Sequence, residues 1–208
     1  MGEILKFPGD TTRLGYSRVR KRCRQADDPN QLDLFLAPAA RISNITSGLS
    51  PFEQALICDE RNDVQAAELY ARAIENHDCV SDAFCNLGIL ESKKGNTAKA
   101  FDCFTTSLKH DPRHSEAHYN LANLYFEVND VRLAQIHYEM AAEVDPSFAN
   151  VYFNLALVQS INHELAAAIA TLVRYQQLVP ADEARHADEL LRNLRQSLAA
   201  AKDKRLGS

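Results

Sequence analysis

The chain is poor in the residues and patterns that mark several classes of protein. It has no tryptophan and only seven glycines in 208 residues. It also lacks GxGxxG, Walker-type, HExxH and GxSxG strings, so the sequence predicts no enzyme and no bound cofactor. No apolar run approaches the ~20 residues that span a bilayer. The first residues, MGEILKFPGD, lack the apolar stretch of a secretory signal. We therefore expect a cytoplasmic protein without a membrane segment.

Metal-binding patterns are scarce as well. The five cysteines are an odd number without CxxC spacing, which argues against a disulfide framework and against a zinc ribbon. His110, His114 and His118 lie four residues apart, as on one face of a helix, but Pro112 interrupts that helix. We expect no metal site.

Charge is distributed unevenly along the chain. The whole sequence has a formal net charge of −5, which does not favour binding to nucleic acid or an anionic membrane over its whole surface. Residues 1–46 hold eight basic and five acidic residues, whereas residues 47–208 hold 15 basic and 23 acidic ones. A basic arm is therefore joined to an acidic body.

The body repeats with a period of 34 residues. Pro112, Pro146 and Pro180 mark this period. Three further columns follow the same step: Ala66, Ala100, Ala134 and Ala168; Leu87, Leu121 and Leu155; and Tyr70, Phe104, Tyr138 and Leu172. Within each period, apolar residues recur at helical spacing in two blocks separated by a turn. Each period therefore predicts a helical hairpin that ends at its proline.

Small and large residues alternate in a way that predicts how the hairpins pack. Small residues stand at one position of the first helix: Gly88, Ala122 and Ala156. Large residues stand in the second helix: Phe104, Tyr138 and Leu172. We expect the small residues to allow a close approach between helices and the large ones to fill the space between them.

This pattern resembles the tetratricopeptide repeat. The best copy, SEAHYNLANLYFEVNDVRLAQIHYEMAAEVDP, places these residues on the motif positions: Leu121, Ala122, Tyr125, Ala134, Tyr138, Ala141 and Pro146. The copies from Ser81 and Ala149 depart at single columns, and the copy from Ser47 is recognisable only in its second half. The resemblance implies an all-α, right-handed superhelix of helical hairpins.

The sequence predicts three parts. Residues 1–46 form a basic, flexible arm, and residues 47–180 form four repeats: 47–80, which is degenerate, 81–114, 115–148 and 149–180. Residues 181–208 form a capping helix and tail, because four leucines share one helical face while the rest of the segment is polar. These are Leu190, Leu191, Leu194 and Leu198.

The resemblance also implies a partner-binding groove on the concave face, formed by the first helix of each hairpin. The candidate groove residues are Asn86, Tyr119, Asn120, Asn123, Phe126, Asn150, Phe153, Asn154 and Leu157. The sixth repeat position is asparagine in three copies, and an amide can hydrogen-bond the backbone of an extended peptide through both its donor and its acceptor. Two alternatives remain open. Asparagine is common at this position in the family, and the apolar residues could pack against the cap helix or the protein's own tail.

A chaperone tail is not the expected partner. Family members that bind such tails hold a terminal carboxylate with Lys, Asn and Arg on this face. Asn150 and Asn154 occupy the places where the last Lys and Arg would be needed.

Two features of residues 1–46 suggest other partners. The string TTRLGYSRVRKRCRQ has six basic residues and no acidic one. It predicts phosphate contacts by Arg18, Arg20, Lys21, Arg22 and Arg24, unless the arm is simply a solvated leader. The pentapeptide Gln31, Leu32, Asp33, Leu34 and Phe35 resembles the motif by which bacterial replication and repair proteins dock on the DNA sliding clamp. It could instead be a local helix that packs on the first repeat, or it could occupy the protein's own groove until a partner displaces it.

Two functions follow from these features. The first is an adaptor or scaffold that binds an extended peptide segment of another protein in the groove. The alternative is a nucleic-acid-associated factor that is tethered to the sliding clamp through Gln31–Phe35 and contacts phosphate through its basic arm.

Overall fold

The computed structural model describes residues 15–20 and 48–206, with side chains up to residue 201. This part of the chain is helical and contains no strand. It divides into two compact units, which we describe separately. The N-terminal unit comprises residues 18–20 and 48–112, and the C-terminal unit comprises residues 15–17 and 113–206. In these ranges no helix is both long and apolar enough to cross a membrane.

The N-terminal unit contains two helical hairpins. Its helices are α1 (Pro51–Glu60), α2 (Ala66–Glu75), α3 (Val80–Lys93) and α4 (Thr97–His110). A capping box begins α1: the Ser50 hydroxyl accepts from the Glu53 N–H, and the Glu53 carboxylate accepts from the Ser50 N–H. The short loops allow α1 to pack on α2 and α3 on α4, and α2 also packs on α3.

The C-terminal unit continues the same arrangement. Its helices are α5 (Ser115–Glu127), α6 (Val131–Val144), α7 (Ala149–Ile161), α8 (Leu165–Leu178), α9 (Ala181–Ala184) and α10 (Asp188–Leu206), with a 3-10 turn at Arg185–Ala187. The helices of each pair pack together, α6 packs on α7, and α10 packs on α8. Leu190, Leu191 and Leu194 of α10 enter a core cluster with Leu172 and Tyr175. The fold class predicted from the repeats, including the C-terminal helix, is confirmed.

The repeat columns form the core of each unit. All the column residues of the second helices are at most 1% exposed: Ala66, Ala100, Ala134, Ala168, Tyr70, Phe104, Tyr138 and Leu172. The apolar columns therefore reflect packing, as the sequence predicts.

Breaks between the repeats fall at the prolines. Helix α4 ends at His110 and α5 begins at Ser115, so Pro112 lies between them. His114 caps α5, because its Nδ1 accepts from the Ala117 N–H at 3.2 Å. This cap gives His114 a structural role at the start of the helix.

Turns between paired helices share a left-handed residue that the sequence columns did not reveal. Gly95, Asn129 and His163 have φ values of 80°, 63° and 63°. They follow one another at the 34-residue step. Glycine adopts this conformation without strain, and asparagine and histidine are enriched in it among the other residues. Different residue types at this repeat position therefore share one backbone requirement, a positive φ.

The described cysteines differ in state. Cys58, Cys85 and Cys103 are reduced thiols, and burial raises the pKa of Cys103 to about 11. Cys79 is disulfide-bonded. A disulfide at Cys79 is therefore present, although the number and spacing of the cysteines indicate no disulfide framework.

Gly88 lies at a close approach between helices, as the sequence predicts. A Cβ at this position would lie 2.7 Å from Cε1 of Phe104 and 3.1 Å from Cβ of Cys103. We expect Gly88→Ala to lower the free energy of unfolding by about 1–3 kcal/mol through overpacking, although the same change in an exposed helix is stabilising. Urea denaturation followed by circular dichroism measures the effect.

Phe104→Leu supplies the control for this prediction. The smaller side chain should recover part of the loss when it is combined with Gly88→Ala, because it leaves room for the added methyl group. If Gly88→Ala alone stabilises the protein, the close approach of the helices does not require the absence of a side chain at Gly88, and the prediction is wrong.

Candidate functional site

An asparagine of the N-terminal unit holds a residue from the first part of the chain. The Val19 N–H donates to Oδ1 of Asn86 at 2.9 Å, and Nδ2 of Asn86 donates to the Val19 carbonyl at 3.0 Å. Asn86 lies on α3 and is fully buried, and Val19 is 1% exposed. One side-chain amide thus satisfies both backbone groups of one residue, a contact that is open to almost any residue type.

A partly buried ion pair lies beside this contact. Nη2 of Arg18 donates to Oδ1 of Asp59 at 2.6 Å, and the side chain of Asp59 is 1% exposed. The Tyr70 hydroxyl donates to Oδ2 of the same carboxylate at 3.2 Å. Burial, reinforced by the negative charge of Asp59, raises the pKa of Tyr70 far above its usual value. The tyrosine therefore stays protonated and acts as the donor.

The C-terminal unit repeats the asparagine contact one repeat later. The Ser17 N–H donates to Oδ1 of Asn120 at 2.7 Å, and Nδ2 of Asn120 donates to the Ser17 carbonyl at 2.8 Å. The Gly15 carbonyl accepts from the Tyr119 hydroxyl at 3.1 Å and from Nδ2 of Asn123 at 3.5 Å. In each unit, an asparagine at the sixth repeat position therefore binds the backbone of residues 15–20.

A side-chain contact also fixes this part of the segment. The Tyr16 hydroxyl donates to Oε2 of Glu127 at 2.9 Å. Glu127 is the last residue of α5. The residues that hold the backbone and the residue that holds Tyr16 thus all lie on the first helix of one hairpin.

A buried polar network orients the asparagines of the C-terminal unit. The Tyr138 hydroxyl donates to Oδ1 of Asn123. Nδ2 of Asn154 lies 3.1 Å from the Tyr119 hydroxyl and 3.2 Å from Oδ1 of Asn123. Burial raises the pKa of Tyr119 to about 12 and raises that of Tyr138 well above its usual value. Both hydroxyls are therefore protonated and can donate at neutral pH.

The remaining groove candidates do not share one environment. Phe126, Phe153 and Leu157 are half-buried and pack against core clusters, and Phe153 meets Tyr175 with a ring-centroid distance of 5.3 Å. Asn150 is exposed. Thus Asn86, Asn120, Tyr119 and Asn123 contact the N-terminal segment, while the apolar candidates contribute mainly to packing within their unit.

Residues predicted to contact phosphate or the sliding clamp fall partly outside the structure. Arg18 is paired with Asp59, and Arg20 is exposed. Lys21, Arg22, Arg24 and the Gln31–Phe35 segment lie outside the described residues. Asp59 was missed by the sequence reasoning, because it lies in the degenerate first helix, where the repeat pattern gives no signal.

A histidine pair in the C-terminal unit makes the stability of the fold depend on pH. Nδ1 of His118 lies 3.0 Å from Nδ1 of His137, and His137 stacks on Tyr125. Burial, with a further contribution from His118, lowers the pKa of His137 to about 4. Because the folded protein keeps His137 uncharged, the stability that depends on this histidine is fully present above its unfolded pKa of about 6.5. That stability is lost as the pH falls toward 4.

We expect His137→Gln to weaken the pH dependence of stability. The wild type should lose more of its free energy of unfolding between pH 7 and pH 5 than the variant, because glutamine does not titrate. Urea denaturation at the two pH values measures this difference. Exposed His163 serves as the control position, and equal losses in wild type and His137→Gln would contradict the prediction.

The helical hairpins and their 34-residue columns define a helical-repeat protein of the solenoid class. A family model described as tetratricopeptide repeat matches residues 103–136. This match and the similar structures below support a tetratricopeptide repeat protein.

Solved structures of similar fold include peptide complexes. The chain is 24% identical to the first repeat domain of Spaghetti (RPAP3) bound to the HSP90 peptide SRMEEVD, with a TM-score of 0.53 over 57% of this chain and 93% of that one. It is 15% identical to MamA, with a TM-score of 0.54 over 72% and 96% of the two chains. For the TPR2B domain of yeast Sti1 in complex with pHsp70, the identity is 22% and the TM-score 0.52, over 56% and 97%.

Curated relatives match over a shorter share of their length. The chain is 28% identical over 127 residues to Tetratricopeptide repeat protein 8 of Mus musculus, which is 60% of this chain and 24% of the mouse protein. The human protein of the same name matches equally, over 23% of its length. The chain therefore spans about a quarter of these relatives.

Proposed function

We propose that this protein is an adaptor in which each unit binds an extended segment of another protein through backbone hydrogen bonds, from Asn86 in the N-terminal unit and from Asn120 in the C-terminal unit. One observation carries the proposal: each amide already holds both backbone groups of one residue of the chain itself, Val19 and Ser17 respectively. An amide in this geometry accepts any extended segment with a free N–H and carbonyl. Residues 15–20 thus act as a model of the ligand.

The similar structures support a role in binding peptides. Two of them hold chaperone segments, an HSP90 peptide and pHsp70. A free terminal carboxylate is not the feature that we propose for this ligand, because Asn150 and Asn154 stand where the family uses basic residues. The ligand is instead an internal extended segment, as residues 15–20 are.

The clamp alternative stays a prediction. Its motif, Gln31–Phe35, lies outside the described residues, so no contact favours it. The expected cytoplasmic location also stays a prediction.

A release variant makes the site measurable in the full chain. It carries Ser17→Pro, Arg18→Gln and Val19→Pro, which remove the two N–H donors and the cation of the bound segment and leave the helices unchanged. The probe is a fluorescein-labelled peptide GYSRVR, the sequence of residues 15–20, followed by fluorescence anisotropy. We expect the release variant to bind it at least about tenfold more tightly than the wild type, whose own segment competes.

Asparagine substitutions then test which residues bind. In the release variant, Asn86→Ala and Asn120→Ala should each weaken peptide binding about tenfold, since each removes two backbone hydrogen bonds. Asn150→Ala is the matched control, because this exposed asparagine lies in the next repeat and should leave the affinity unchanged. Full affinity after both Asn86→Ala and Asn120→Ala, or no peptide binding at all, would overturn the proposed function.

A further inference from the structure

The N-terminal unit carries a subsite that reads side chains as well as backbone. We propose that this unit selects, within an extended ligand, a basic residue followed by a buried aliphatic residue, with Asp59 as the acceptor for the basic side chain. Arg18 and Val19 are the chain's own copy of this pair, and the partner is a protein segment that presents the same chemistry. This inference rests on the proposed function.

Asp59 is placed where its own helix does not stabilise it. It lies in the last turn of α1, which contains no basic residue, and a carboxylate there faces the negative end of the helix dipole. Its side chain is 1% exposed, and a buried charge without a partner is strongly destabilising. Tyr70 supplies one hydrogen bond, which leaves the charge itself to be balanced. A cation from a bound segment provides that balance.

The backbone contact sets the register of this recognition. Asn86 holds the N–H and the carbonyl of Val19, so the preceding residue is the one whose side chain reaches Asp59. The Val19 side chain is 1% exposed, which favours a compact apolar residue at this position over a charged one. Together, the two contacts define a basic–aliphatic pair rather than a general basic patch.

Charge and tethering identify the occupant. Residues 47–208 carry eight more acidic than basic residues, so a basic ligand segment is attracted to them. The segment of a second copy would gain little, because each copy already has its own identical segment tethered at high effective concentration. A different protein that offers the pair within a longer or better-matched segment is therefore the occupant that displaces residues 15–20.

Peptide substitutions on the release variant test the side-chain preference. Relative to GYSRVR, we expect GYSQVR to bind about tenfold more weakly because it lacks the charged hydrogen bond to Asp59, and GYSRDR to bind more weakly still. Asp59→Asn in the release variant should bring the GYSRVR to GYSQVR affinity ratio close to one. The matched control is Asp102→Asn, because this aspartate of the same unit is exposed on α4 and should leave the ratio unchanged.

Each outcome of this experiment decides between the two proposals. An unchanged ratio in Asp59→Asn, with peptide binding retained, overturns the subsite and leaves the proposed function standing. The subsite is also overturned, with the proposed function left standing, if the release variant with Asp59 intact binds GYSRVR and GYSQVR with equal affinity. This comparison does not depend on whether Asp59→Asn folds. Absence of binding by every peptide overturns both proposals.

Two further measurements test the external partner. A library of displayed random hexapeptides, selected on the release variant, should enrich basic–aliphatic pairs, and this enrichment should disappear with Asp59→Asn. Light scattering of the wild-type chain tests the second copy as occupant. A dimer that dissociates when the release substitutions are introduced would show exchange of segments between copies and would overturn the assignment of an external partner.

Discussion

Replacing Asn86 and Asn120 together by alanine is expected to accelerate tryptic cleavage after Arg18 about a hundredfold. Each asparagine makes two hydrogen bonds to the backbone of residues 15–20, and each bond contributes ~0.5–1.5 kcal/mol net. A protease needs an extended, free backbone at the scissile bond, so cleavage follows the fraction of time for which the segment is released. Mass spectrometry of the N-terminal fragment measures the rate.

Asn150→Ala provides the comparison for this prediction. It removes an asparagine amide from the first helix of the following hairpin, at an exposed position, so cleavage after Arg18 should proceed at the wild-type rate. If the double variant is also cleaved at that rate, the two amides do not retain the segment in solution. The site would then be open to ligands without competition.

The repeat columns explain why so much of the fold could be predicted. A hairpin that stacks on its neighbours must bury the same positions in every copy, so Phe104 and Tyr138 report the same packing environment 34 residues apart. The turns are less visible, because the left-handed position accepts Gly95, Asn129 and His163 alike. A backbone requirement that different side chains can meet leaves a weak signal in one sequence.

The candidate site was predictable only in part. Asn86 and Asn120 stand out by their recurrence at one repeat position, and both contact a bound segment. The segment itself could not be recognised, since it is held through backbone groups that every residue possesses. The basic run around Arg18 suggested phosphate contacts, whereas its partner in the structure is Asp59, 41 residues away in the chain. Pairing over that distance depends on the fold and not on local sequence.

The apolar residues near the asparagines show that the repeat position alone does not tell whether a side chain lines the groove. Phe153 and Leu157 were predicted to line the groove, but both pack with the core cluster that contains Tyr175 and the leucines of α10. A half-buried side chain on a helix can turn toward either neighbour. The repeat position alone does not decide between a ligand contact and packing inside the unit.

Tyr138→Ala is expected to lower the free energy of unfolding by about 3–5 kcal/mol, among the largest effects of any single substitution in the C-terminal unit. The ring is fully buried and packs against Tyr119 at a centroid distance of 5.9 Å. Its removal leaves a cavity between α5 and α6 in addition to the lost apolar burial. Urea denaturation gives the free energy, and Ile136→Ala, at a position that is 49% exposed on the same helix, should change it little.

Tyr138→Phe separates the role of the hydroxyl from that of the ring. Phenylalanine keeps the packing but leaves Oδ1 of Asn123 without this donor, which we expect to cost about 1–3 kcal/mol. Asn123 also contacts the Gly15 carbonyl and the Asn154 amide, so its reorientation should weaken the binding of GYSRVR to the release variant. Such a loss would show that Tyr138 positions Asn123 for its contact with the bound segment. Unchanged binding in a destabilised Tyr138→Phe protein would restrict this residue to stability alone.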